Sequence, residues 1–284
     1  DHRVILVDQA PQHVFQPSLL WLITGDREPD KISRDLSRLE RKGIEVVTGE
    51  ITALNAASKT VVVDGQTLEA DYIVVSLGAD LVPGKIDGLA EAGHNLYSLD
   101  GAVSIRDERE ELTAGELVVL VSSMPFKCPA APYEAAMLLE ADLRKRGVRD
   151  QVAVSVYSPE PGPMGVAGPD VSAGVRQMVE ARGIAYHPQH QVSEVDPEMR
   201  MLKFSDGTEV AFDFLVYIPP HEAPAVVRES GLTNESGWVP VDRHSMETSH
   251  EGVFAIGDVT SIPLDMGLPL PKAGTFASGQ AKVV

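Results

Sequence analysis

The chain has 284 residues, 43% of them hydrophobic, 23% charged and 5% aromatic, as in an ordinary α/β protein of about two domains. Its net charge of −18 argues against nucleic acid and against simple electrostatic adhesion to anionic lipid, both of which need lysine and arginine patches. A single cysteine, Cys128, excludes an internal disulfide and any multi-cysteine metal centre.

In chain order, the sequence opens without an initiator Met and enters a strand pattern, Arg3 to Asp8, almost at once. Pro29-Asp30 then opens a helical pattern that closes at Arg41-Lys42-Gly43-Ile44, with proline at entry and glycine at exit. Ile51 to Asn55 reads as a strand. Asp64-Gly65-Gln66 reads as a hairpin turn between alternating stretches, and Asp71 to Val75 as a buried strand. The same order recurs downstream. A strand from Gln151 to Tyr157 is followed by a helix from Pro169-Asp170 to Gly183, a strand Val192 to Asp196, a turn Asp206-Gly207-Thr208 and an apolar strand Asp213 to Tyr217.

Each repeat therefore reads strand, helix, strand, β-meander, strand. The predicted fold is α/β, with two Rossmann-like dinucleotide-binding domains, three-layer ββα with a β-meander, the second inserted in the first. The first domain is drawn as residues 1–112 plus 236–284 and the second as 113–235. Ahead of the second repeat stand a strand, Leu117 to Val121, a loop, and a helix from Pro132 to Gly147. The first repeat has no such unit, so the sequence is expected to be N-terminally truncated, lacking the first strand and glycine-rich loop of that domain.

Several short motifs carry candidate chemistry. Asp8 ends the first strand, where a carboxylate accepts hydrogen bonds from ribose hydroxyls, although a solvated loop aspartate reads the same way. Ser76-Leu77-Gly78-Ala79 follows a strand, and its small residues permit close backbone approach to a ligand. Gly257-Asp258 closes the strand pattern Val253 to Ile256 in the same manner. Pro271-Lys272-Ala273-Gly274 precedes the last helical stretch, a place where a lysine can stabilise developing negative charge or simply lie on the surface.

Cys128 falls in Lys127-Cys128-Pro129-Ala130-Ala131-Pro132-Tyr133-Glu134, between a strand and a helix. A helix N-terminus and a neighbouring lysine both favour thiolate. Spacing alone leaves an inert buried cysteine and a reactive one equally open. The stretch Ser122 to Ala131 is also where a second glycine-rich nucleotide loop belongs, yet it contains prolines and no glycine. His187 and His190 are not spaced on a helix face, and no metal site is expected.

On Phe15-Gln16-Pro17-Ser18, Leu77-Gly78-Ala79, the Lys127 to Glu134 stretch, Phe254 to Asp258 and Pro271 to Gly274, the chain resembles the sulfide:quinone oxidoreductase and flavocytochrome c sulfide dehydrogenase flavoprotein family. The resemblance implies FAD as cofactor. Asp8 would bind its adenosine ribose and Ile51 its adenine; Ser76, Gly78, Ala79, Gly257 and Asp258 would line it, and Lys272 would sit at the isoalloxazine. Cys128 would be the redox cysteine that takes sulfur from sulfide or a small thiol, with electrons passing through FAD to a quinone or cytochrome.

Family members that oxidise sulfide usually pair this cysteine with a second one, which this sequence does not contain. Two alternatives stay open on the resemblance: such a partner lies beyond Val284, where the family also has a segment for peripheral membrane association, or it is absent altogether, as in many relatives. The resemblance implies a bacterial cytoplasmic or peripheral-membrane location and is compatible with a homo-oligomer. Two other readings compete: an NAD(P)H-dependent flavin reductase of the type II NADH dehydrogenase kind, and a truncated, non-catalytic fragment.

Overall fold

The structure, a computed structural model, describes residues 2–284. The chain folds as two compact units, one of residues 1–14, 33–80 and 222–284, the other of residues 15–32 and 81–221.

The second unit is built on a five-stranded parallel sheet. Its strands run in the order His94–Asn95, Phe214–Ile218, Gly115–Val121, Val152–Tyr157, Ala185–His187. Leu117 to Val121 and Phe214 to Ile218 are buried throughout, as strands covered on both faces must be. Helix Ala131–Arg146 packs against the central strands. It ends at Gly147, whose φ of 76° supplies the left-handed C-cap, with Arg144, Lys145 and Arg146 in its last turn. Glu140, 2% exposed within this helix, is paired with Arg144 and with Arg149 at 3.1 Å, so its buried charge is compensated.

The first unit carries the matching strands in two separate parallel pairs: Val4–Asp8 with Ile44–Thr48, and Ile73–Val75 with Val253–Ala255. In the second unit, Gly115–Val121 joins the equivalent pairs into one sheet. Among the described residues of the first unit, no strand takes that place. The run Asp71 to Val75, expected to be buried, accordingly buries Ile73 and Val75 but leaves Tyr72 70% and Val74 45% exposed.

The repeat extends to backbone detail. Both meanders carry a register shift in their first strand, between Ile51 and Ala53 and between Val192 and Glu194. The residue in each shift donates its hydroxyl to the facing strand, Thr52 Oγ1 to Val62 O at 3.5 Å and Ser193 Oγ to Lys203 O at 3.0 Å. The following turns match as well: Lys59 and Arg200 both take left-handed φ, 52° and 50°. Asn55 Oδ1 and Asp196 Oδ1 each accept a backbone N–H from the turn. Bulges of this kind are specific features, and their recurrence supports two copies of one unit.

Two expectations are revised. The single helix predicted from Pro29 to Gly43 is a short helix Pro29–Ile32, a strand Ser33–Asp35 and a 3-10 helix Leu36–Lys42. Ser33–Asp35 pairs antiparallel with Gln12–Val14, and the Asp35 carboxylate caps the next turn by accepting Ser37 N–H at 2.8 Å. The unit boundaries also differ from those drawn at 112/113 and 235/236. Residues 81–112 go with the second unit because His94–Asn95 pairs with Phe214–Ile218. Residues 15–32 join them through Arg106 to Glu28 at 3.0 Å and Arg109 Nη2 to Thr24 O at 3.0 Å. Residues 222–235 go with the first, where Ala223, Val227 and Leu232 pack with Leu54 and Val253.

Gly88, in the second unit, is sterically obligatory. Gly88 has φ of 75°, and a Cβ built there would lie 2.0 Å from the Val195 carbonyl oxygen. Gly88→Ala is expected to cost about 3 kcal/mol, from left-handed strain plus overpacking, read as a fall in the urea midpoint without a change in slope.

Candidate functional site

In the first unit, Ala255 pairs with Val75 in parallel register and Ile256 N–H donates to Val75 O at 3.0 Å. The two strands thus end together, and Ser76 to Ala79 and Gly257-Asp258 emerge from the same sheet edge. The carboxyl ends of parallel strands are where α/β sheets bind ligands. Gly78 has φ of 71° and no protein atom within 4 Å of where its Cβ would stand, so the backbone is open to close approach. Gly257, φ 75°, donates its N–H to Gln280 Oε1 at 2.6 Å, and a Cβ there would meet the Ala277 Cβ at 3.5 Å.

Asp8 lies at the end of its strand, half-buried, with Oδ1 accepting Ala10 N–H at 2.8 Å. Ile51 opens the first meander strand opposite Val63. An edge with two left-handed glycines, one of them open, and, in the same unit, a carboxylate at the end of the other parallel strand pair fit a dinucleotide such as FAD.

Lys272 is not a surface lysine. It is 8% exposed, and Nζ donates to Asp258 O at 2.6 Å and to Thr260 O at 3.1 Å. The ammonium also stands 3.4 Å from the centroid of the Trp238 ring. Burial pulls its pKa down to about 8, partly offset by the nearby Asp258 charge. The structure therefore brings Gly78, Gly257, Asp258 and Lys272 into one region of the first unit.

The second unit holds Cys128 on the loop that leads into helix Ala131–Arg146. The thiol residue is exposed, which removes the inert-core reading. Its backbone is left-handed, φ 53°, an uncommon state for a non-glycine residue. Tyr97 secures that backbone. Its hydroxyl donates to Lys127 O at 2.6 Å and lies 3.2 Å from Cys128 O, and Ala131 N–H donates to Cys128 O at 2.9 Å. Lys127 is itself buried, with Nζ 5.6 Å from the Tyr97 ring centroid. Non-glycine left-handed residues cluster at functional sites, where surrounding structure must hold them.

The same unit shows why its nucleotide end is unconventional. The Ser122 N–H and hydroxyl both donate to Ile218 O, and Gln191 Nε2 donates to Ser122 O at 2.7 Å. Just past the second strand, where a nucleotide domain presents a carboxylate to ribose, Glu160 is 6% exposed. It accepts the Tyr133 hydroxyl at 2.6 Å and the Ser158 hydroxyl at 3.1 Å. Burial raises its pKa above the ordinary 4.5 and outweighs these hydrogen bonds.

A carboxyl with a raised folded pKa lends stability below its unfolded value and loses it as pH climbs through the folded one. Glu160→Gln is therefore expected to raise Tm relative to wild type at pH 8, by about 2 °C, and to flatten the slope of Tm against pH above 4.5. Differential scanning calorimetry from pH 4 to 9 would check this, and a lowered Tm at pH 8 would contradict it.

Sequence reasoning missed Glu160, Tyr97, Trp238 and Gln280. For Glu160 a signal existed, since Ser158-Pro159-Glu160 follows the second-repeat strand much as Asp8 ends the first. Tyr97, Trp238 and Gln280 reach their partners from distant parts of the chain and carry no local signature.

A meander-bearing dinucleotide unit present twice, with a glycine-lined strand edge and a loop-borne cysteine, defines a two-domain flavoprotein oxidoreductase. The pyridine nucleotide-disulphide oxidoreductase family matches residues 1–281, and the chain belongs to that family of FAD-dependent oxidoreductases. It is 28% identical over 299 residues to the sulfide-quinone reductase of Aquifex aeolicus, covering 100% of this chain and 69% of the relative. It is 24% identical over 275 residues to the mitochondrial sulfide:quinone oxidoreductase of Mus musculus, covering 92% and 60%. The X-ray structure of the Aquifex aeolicus sulfide:quinone oxidoreductase superposes with a TM-score of 0.84 at 26% identity, covering 96% of this chain and 66% of that one.

Proposed function

We propose that the protein is an FAD-dependent sulfide oxidoreductase that passes electrons to a quinone. The observation that carries this reading is Cys128, exposed, left-handed and held by Tyr97 on the loop where a nucleotide-binding domain would keep its glycines. The similarity to sulfide:quinone oxidoreductases supports the choice of donor and acceptor.

Cys128 acts as sulfur acceptor. Its thiolate sulfur bonds to the sulfide sulfur to form a persulfide, and two electrons leave the pair as the sulfide proton passes to solvent. FAD, when bound, would supply the two-electron acceptor that this step requires, with a quinone as the terminal oxidant. Gly78, Gly257 and Asp258 would hold it, with Asp8 and Ile51 at the adenosine end and Ser76 and Ala79 flanking Gly78. The Lys272 ammonium would counter negative charge at the isoalloxazine.

Hydride delivery from NAD(P)H gains no support from the second unit, because the backbone groups of Ser122 bond within the protein and Glu160 is buried against Tyr133. The deciding experiment is an anaerobic visible spectrum of the FAD-loaded protein before and after sulfide. Bleaching of the flavin band at about 450 nm by sulfide, restored by a soluble quinone, is the expected result. Bleaching by NADH and not by sulfide would overturn the reading, as would a chain that binds no FAD at all.

A further inference from the structure

Lys272 and Trp238 form a pair with no counterpart among the local motifs. The ammonium is enclosed on one side by two backbone oxygens, Asp258 O at 2.6 Å and Thr260 O at 3.1 Å. On another side stands the indole, with Nζ 3.4 Å from the ring centroid. Both side chains are buried, 8% and 6% exposed. The indole is itself fixed, since Trp238 belongs to the core cluster that includes Leu54, Val227, Val239, Val253 and Val259.

We propose that Trp238 is a positioning residue for Lys272: its ring face, with the two carbonyls, keeps the lysine ammonium charged and in a single orientation beside the Gly257-Asp258 edge. Its weight in catalysis rests on the reading of Lys272 as a flavin residue given above. The pairing itself does not depend on that reading.

The physical case is a balance. Burial favours the neutral amine, and the carboxylate of Asp258 is the titratable group that acts in the opposite direction. Two carbonyl acceptors and a desolvated cation–π contact also favour the charged form, and a tryptophan face is the strongest of the aromatic partners. With the ammonium held this way, its charge is directed by the core and does not wander among rotamers, as a free lysine side chain does. Trp238→Phe leaves a smaller ring with a weaker cation-binding face and Trp238→Leu leaves none, so each must shift the protonation equilibrium toward the amine, the second by more.

The test is a pH titration of the whole chain carrying 13Cε-labelled lysine, followed by NMR, with the Lys272 resonance identified by its loss in Lys272→Arg. Wild type is expected to titrate with a midpoint of about 8. Trp238→Phe is expected to lower the midpoint by about half a unit and Trp238→Leu by about one unit or more. A midpoint unchanged or raised in Trp238→Phe overturns the pairing, and that variant alone decides should the leucine variant fail to fold.

The flavin midpoint potential of FAD-loaded Trp238→Phe is measured beside it. It is expected to become more negative as the lysine loses charge near pH 8. A lowered lysine midpoint with an unchanged flavin potential would remove Lys272 from the flavin site while leaving the Trp238–Lys272 pair standing. A general structural defect would not reproduce this combination, because it would expose the lysine and raise its midpoint.

Discussion

Cys128→Ser is expected to lower the rate of flavin reduction by sulfide by about three orders of magnitude or more, with FAD affinity unchanged. Serine cannot ionise near neutral pH and forms no sulfur–sulfur bond, so the acceptor for sulfide sulfur disappears. The chain has a single cysteine, which leaves no other thiol within it to take over the role. Because Cys128 is exposed, the substitution removes little packing, and stability should stay within about 0.5 kcal/mol of wild type. Anaerobic stopped-flow absorbance under sulfide in excess reads the rate, and thermal unfolding reads the stability. Reduction at the wild-type rate would exclude Cys128 from the reaction. The lone thiol also makes modification unambiguous: one equivalent of iodoacetamide should inactivate the protein in step with alkylation.

Gly78→Val is expected to weaken FAD binding by about a hundredfold or more while leaving the fold intact. Gly78 sits at φ of 71°, so a β-branched residue incurs left-handed strain of about 1–2 kcal/mol. No protein atom lies within 4 Å of its Cβ position, so the protein itself raises no steric objection. The new side chain would instead fill space into which the cofactor must come.

Gly65→Val is the matched control. Gly65 also has positive φ, 81°, and an open Cβ position, but it lies in the hairpin turn between Thr60–Val63 and Gln66–Glu69. Both variants should lose similar stability, and the control should keep its FAD. Flavin fluorescence titration measures the affinities. Equal affinities in the two variants would show that the Gly78 edge does not contact the cofactor.

Much of the second unit was legible because its signals are local. Leu117 to Val121 and Phe214 to Ile218 are continuous apolar runs, and such runs form strands buried on both faces. Proline at entry and glycine at exit set the ends of Ala131–Arg146, and Asp-Gly turns set the meanders. The repeat was readable for the same reason, since each copy must solve the same turns and bulges with the same residue types.

The helix expected between Pro29 and Gly43 failed where a local signal met a long-range one. Its end signals are real: Pro29 starts a helix, and Gly43 terminates a helical turn with φ of 79°. Between them, however, Ser33–Asp35 is claimed by pairing with Gln12–Val14, and the Asp35 cap then restarts the chain. Tertiary pairing overrode a propensity worth only tenths of a kcal/mol per residue.

By itself, the sequence determined that this protein is α/β, that it repeats a dinucleotide-binding unit, and that Gly78, Gly257, Cys128 and Lys272 stand at the ends of strands or in the loops beyond them. Those properties follow from periodicity and turn chemistry, which act over a few residues. Only the tertiary structure decided that Cys128 is exposed and held by Tyr97, that Glu160 is sealed against Tyr133, and that Lys272 is enclosed by Trp238 and two carbonyls. Burial, charge state and orientation depend on which distant residues meet, and desolvation, the largest influence on both Glu160 and Lys272, exists only once the chain has folded around them.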